Sequence, residues 1–184
     1  MHKKQFSLLF FFTFSVLQSF GQANAPFGIE GKIRTVLATD SQKENGRLTS
    51  GGEVSFSSSQ GITEIVVKYG KTAKVVTAVE PEATATEELY VQVFEYDFDQ
   101  DGKPELCIAH SSSAMEFKLE VYRYSGGLTE LVGSFDGQMR CEIAKNAISF
   151  PYGSQGLSSD YIYANGSFFE LVYHDPTKKE KTGQ

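Results

Sequence analysis

The sequence predicts an all-β protein, with antiparallel strands arranged as a sandwich, a curled barrel or partial propeller-like hairpins. Three observations predict it. Short runs rich in Val, Ile, Tyr and Phe carry the two-residue polarity period of a strand. Glycine-bearing turns, among them Asn165-Gly166, separate those runs. The strand-turn-strand pattern then continues nearly to the end of the chain.

The first residues read differently. His2, Lys3 and Lys4 make a positive start, Leu8 to Leu17 is almost wholly apolar, and the small residues Ser19 and Gly21 follow. This is the pattern of a signal peptide over residues 1–21, cut after Gly21. A cut after Ala25 would leave Pro26 first, which suits the peptidase less well. The apolar run is too short for the roughly 30 Å hydrocarbon core, which takes about 20 residues. No Cys stands at the cut to carry a lipid. The expected location is secreted or periplasmic, with no membrane span after cleavage. Residues 22–174 read as one β domain and 175–184 as a flexible tail.

Along the domain, Phe27 to Ala38 is extended and Asp40 to Gly52 is a polar connection. Ile62 to Tyr69 and Lys74 to Val79 flank Gly70-Lys71 as a hairpin. Glu80 to Glu88 reads as a loop or one helical turn. In Leu89 to Tyr96, Leu89, Val91, Val93 and Glu95 point one way and Tyr90, Gln92, Phe94 and Tyr96 the other, as in a strand buried on both faces. Strands follow at Glu105 to Ala109, Glu116 to Tyr124, Leu128 to Phe135 and Met139 to Ala144, with turns at Gly126-Gly127 and Asp136-Gly137. Tyr161 to Tyr163 and Phe168 to Tyr173 close the series as a hairpin around Asn165-Gly166. Tyr122, Tyr124, Gly127, Glu130, Leu131 and Val132 echo Tyr161, Tyr163, Gly166, Glu170, Leu171 and Val172, with one residue inserted. Repeated blade-like hairpins would give this echo; shared turn chemistry is the plainer account.

Charge narrows the partners. The chain has 17 basic and 23 acidic residues, and loss of Lys3 and Lys4 with the signal peptide leaves a formal charge of about −8. Nucleic acid and anionic lipid both demand a positive face, so neither is expected. A cation or a basic protein is favoured. Cys107 and Cys141 are the two cysteines. They read either as a disulfide formed in an oxidising compartment or as two buried small hydrophobes.

The chemistry concentrates in Asp97-Phe98-Asp99-Gln100-Asp101-Gly102-Lys103-Pro104-Glu105. Ca²⁺ takes about six to eight oxygen ligands. Asp97, Asp99 and Asp101 fall on alternate positions, so a curled loop aims all three at one centre. Gly102 permits the sharp turn. Lys103 offers its backbone carbonyl, and Glu105 closes the cage from the ninth position. Carboxylates so close repel one another without a cation between them. An EF-hand has its bidentate Glu at position twelve, between helices; here position twelve is Ile108 and both flanks are strand-like.

The spacing D-x-D-x-D-G-x-x-E-L, within Phe94 to Ile108, resembles the calcium loops of FG-GAP and VCBS-type repeats. Those loops sit in β-hairpins of integrin-like propellers and of many exported bacterial proteins. This chain has one such loop and lacks the FG-GAP signature itself. The signal peptide, the acidity, the loop after a strand and the Gly/Tyr-rich C-terminal half also resemble a periplasmic family of lysozyme inhibitors on a VCBS-like β fold. That resemblance implies a non-catalytic module with one structural Ca²⁺ and a basic, lysozyme-like partner at or outside the cell envelope.

Other features weigh less. His110-Ser111-Ser112-Ser113 reads as a polar loop rather than a nucleophile and its base. Gly153-Ser154-Gln155-Gly156 lacks the spacing of a nucleophile elbow. With His2 removed, His110 and His174 are the remaining histidines, which limits acid–base chemistry, and no enzyme activity is expected. Tyr122, Tyr124, Tyr152, Tyr161 and Tyr163 offer an alternative role, carbohydrate binding or surface adhesion, if they share an exposed face. Half-buried strand positions are the simpler reading.

Overall fold

A computed structural model describes residues 29–30, 36–39, 45–80, 90–113, 116–138, 141–153 and 156–172. Among these the chain is all-β, with no helix. The signal segment, the C-terminal tail and most of the Glu80 to Glu88 connection lie outside the described residues.

Two short strands come first, β1 (Ile29–Glu30) and β2 (Val36–Thr39). Three successive antiparallel meanders follow. The first is β3 (Asn45–Arg47), β4 (Glu53–Ser59), β5 (Ile62–Tyr69) and β6 (Ala73–Val79). The second is β7 (Val91–Tyr96), β8 (Glu105–Ser113), β9 (Glu116–Ser125) and β10 (Leu128–Gly137). The third is β11 (Cys141–Ala144), β12 (Ala147–Tyr152), β13 (Leu157–Ala164) and β14 (Ser167–Glu170). β2 joins the second sheet antiparallel to β7, and β1 joins the third parallel to β11. Among the described residues every sheet keeps two edge strands, so the curled-barrel alternative gives way to open, sandwich-like layers.

The two-residue period explains the layering. β6 alternates buried and exposed without a break, because one face meets the second sheet and the other meets water. β7 is buried at every position. Its Val91 and Val93 pack with Ile65, Val67 and Val75 of the first meander. Its Phe94 and Tyr96 pack with Ile143, Ile148 and Phe150 of the third. The middle sheet is therefore apolar on both faces, and the core is two slabs, one on each side of it.

Several boundaries differ from expectation. Glu53–Ser59 and Ala147–Tyr152 are strands that their Ser and Pro content hides, since each gains its place from two hydrogen-bonded neighbours. Asp136-Gly137 is the end of β10 rather than a turn, paired with Lys118 and Phe117. His110 to Ser113 is not a polar loop: it extends β8, with His110 opposite Lys118 and a bulge between Ser111 and Ser113.

The internal echo has a structural counterpart. Its two copies are the β9–β10 and β13–β14 hairpins, the third and fourth strands of successive meanders. Tyr69, near the equivalent point of β5, stacks on Tyr124 at 4.4 Å between ring centroids.

Candidate metal centre

The acidic loop joins β7 to β8, the first two strands of the middle meander. Strand geometry stops at Asp97 because the chain must reverse within a few residues, and two left-handed positions make the reversal, Gln100 at φ 61° and Gly102 at φ 89°. Gln100 bears that conformation at a cost, whereas Gly102 adopts it freely.

Asp97, Asp99 and Asp101 converge: one carboxylate oxygen from each lies within 4.8 Å of the others. Backbone amides hold the arrangement. Gly102 N–H donates to Asp97 Oδ2 at 2.9 Å, Asp101 N–H to Asp99 Oδ1 at 3.2 Å and Lys103 N–H to Asp101 Oδ1 at 2.7 Å. The Lys103 ammonium lies 3.6 Å from Asp101 Oδ2 with most of its side chain in solvent, so this contact adds little. Asp97 Oδ1 is buried and has no hydrogen-bond partner among the described residues. A buried carboxylate oxygen left bare is costly unless a cation takes it. The set is all oxygen, as hard cations require. The triad is able to hold a metal ion.

Glu105 stands outside that convergent group. It is buried, with Oε2 accepting from Phe98 N–H at 3.1 Å and Oε1 from the Tyr163 hydroxyl at 3.0 Å. Burial raises its pKa, partly offset by those two donors. A carboxylate has about four lone-pair sites, so these bonds leave capacity for an ion.

The loop is tied to both neighbouring layers. Glu95, on the face of β7 opposite to Phe94 and Tyr96, is fully buried and accepts from Ser50 N–H at 3.1 and 3.2 Å, in the turn between β3 and β4. On the other side Phe98 is fully buried and meets Tyr96 and Phe168 edge-on, with centroids at 4.7 and 5.1 Å. Its carbonyl accepts from Asn146 N–H at 3.1 Å, in the turn between β11 and β12. The loop that gathers the aspartates therefore also joins three sheets. Sequence reading missed Glu95, Phe98 and Tyr163 as its supports. Glu95 leaves a trace, a charge inside an otherwise apolar strand; the partner of Tyr163 lies in a distant strand and leaves none.

The remaining candidates separate. Ser111 is buried in β8, and His110 Nε2 is buried with no hydrogen-bond partner among the described residues. The tyrosines do not share one exposed face: Tyr163 is buried, Tyr122 and Tyr161 are half-buried, Tyr124 stacks on Tyr69, and Tyr152 stands out to solvent. Cys107 and Cys141 are free thiols, both buried in the slab between the second and third sheets. Comparison with protein-family models, curated proteins and solved structures finds no match.

Proposed function

We propose that the loop holds one structural Ca²⁺ and that the protein is an exported, non-catalytic module that binds a basic protein at or outside the cell envelope. One observation carries the ion: three alternate aspartates converge within 4.8 Å while Asp97 Oδ1 has no hydrogen-bond partner among the described residues. Asp97, Asp99 and Asp101 would supply side-chain oxygens, Lys103 its carbonyl and Glu105 the closing carboxylate. Calcium suits this set better than magnesium, which keeps its waters and rarely takes an all-protein cage. The ion would neutralise the loop and hold the hinge between β7 and β8. Partner binding is supported by the formal charge of about −8 left after signal cleavage, and by the resemblance to VCBS-like lysozyme inhibitors. A basic partner gains both encounter rate and selectivity from that charge.

Calorimetric titration of the metal-free protein with CaCl₂ tests the ion, with one site per chain and a dissociation constant of about 10⁻⁴–10⁻³ M or tighter expected. Heat from magnesium equal to that from calcium would overturn the assignment. A panel of lysozymes, assayed for binding and for residual activity, tests the partner; no binding and full activity throughout would remove the lysozyme reading.

A further inference from the structure

At the pole away from the acidic loop, strands of all three meanders leave a cleft of about 590 Å³. We propose that this cleft binds a cationic side chain, an arginine or a lysine presented by the protein partner. The inference rests on the protein-binding reading above and names where and through what chemistry the partner is gripped.

The cleft is placed by strand register. His110 on β8 lies opposite Lys118 on β9, which lies opposite Asp136 on β10, so these three form one cross-strand row on one face of the middle sheet. Glu80, just beyond β6, and Glu116, at the start of β9, also line the cavity. Phe150 and Tyr152 of β12 supply its aromatic wall, Phe150 buried and Tyr152 exposed at 41 %.

The polar inventory decides the ligand. Glu80, Glu116 and Asp136 are acceptors only and exposed, and none has an ion-pair partner among the described residues. Lys118, the one cation among the described lining residues, reaches 3.9 Å from Glu120 Oε1 and is partly engaged there. His110 Nε2 is buried without a partner among the described residues, and burial holds the imidazole below its ordinary pKa, so the ring adds no positive charge to the lining. Among the described lining residues, three carboxylates against one ammonium repel phosphate and carboxylate ligands. Guanidinium and ammonium groups bring several donors and no acceptor, the complement of this lining. The Tyr152 ring adds a face on which a cation can rest.

The test uses the full mature chain in 5 mM CaCl₂, so that the acidic loop is not the site being read. An acetylated, amidated tetra-arginine is titrated in, with tetra-glutamate and chitotriose as separate arms, and binding is followed by calorimetry and by the NMR signals of the His110 ring and the Tyr152 amide. Tetra-arginine is expected to bind and to move both signals. The exposed pair Glu116→Gln with Asp136→Asn should weaken it about 5- to 30-fold, the loss of two carboxylate contacts, with the thermal midpoint unchanged. No binding of tetra-arginine, equal affinity in the double variant, or chitotriose moving the same signals while tetra-arginine does not would each overturn the assignment. Failure here with calcium binding and lysozyme binding intact would condemn the cleft alone; loss of lysozyme binding across the panel, with tetra-arginine still held, would condemn only that choice of partner.

Discussion

Tyr163 of β13 donates its hydroxyl to Glu105 of β8 at 3.0 Å, joining residues 58 positions apart at the base of the acidic loop. The bond is buried at both ends, and it is one of two that satisfy the Glu105 carboxylate. Tyr163→Phe keeps the ring contacts with Phe98 and Phe168 and removes only the donor. A buried acceptor is then left half-satisfied, at a cost of about 1–3 kcal/mol. Urea unfolding should show a lower midpoint with an unchanged slope. An unchanged midpoint would mean that water replaces the hydroxyl and that the link between the sheets is not energetic.

Calcium should stabilise the chain through mass action. With a dissociation constant of about 10⁻⁴–10⁻³ M, 10 mM CaCl₂ adds about 1.4–2.7 kcal/mol, or about 3–10 °C in thermal midpoint for a chain of this size. Asp99 is exposed, and its Oδ1 accepts from Asp101 N–H within the loop. Asp99→Ala should therefore erase the calcium increment and leave the midpoint in EDTA nearly as in wild type. Equal losses in calcium and in EDTA would show that Asp99 acts through loop shape and not through an ion.

The thiols give a test of the core. Cys107 and Cys141 are both buried, and burial pushes both above the ordinary thiol range, with Glu105, Cys141 and Glu95 adding negative potential at Cys107 and Glu142 at Cys141. The thiolate is the reactive species. Neither should react with iodoacetamide at pH 8 in the native protein, and two equivalents should be taken up in 6 M guanidinium chloride. Fast labelling of native protein would place one of them at the surface; no labelling after unfolding would reveal a disulfide.

What the sequence discloses here is local. The alternation in Val91 to Tyr96 already implies a strand covered on both faces, because each parity carries apolar residues, and Glu95 is the one charge that breaks it. The aspartate spacing and Gly102 disclose the convergence because three alternate carboxylates and a left-handed turn are near-neighbour matters. Glu53–Ser59 stays hidden because its serines are tolerated only by pairing on both sides. The cleft is hidden for a stronger reason: Glu80, His110, Asp136 and Tyr152 come together only when three meanders stack, and the local pattern around His110 points to a loop that pairing with β9 turns into strand.

His110 links that cleft to pH. Burial lowers its pKa below 6.5, the effect of Lys118 adds to the lowering, and Glu120 opposes both; Asp136 lies opposite Lys118 in the same row, Glu116 lies two residues from Lys118 on β9, and Glu80 stands beyond the end of β6. Well above pH 6.5 the ring is neutral in folded and unfolded chains alike and contributes no slope. Below it the unfolded chain takes up a proton that the native ring resists, so stability falls with pH until the lowered native pKa is passed. His110→Gln should flatten the stability profile between pH 7 and pH 5, and the imidazole signals of the wild type should titrate with a midpoint below 6.5. A midpoint above 6.5 would show that Glu120 and the cleft acids outweigh burial, and the ring would then enter the cleft charged, working against a cationic ligand.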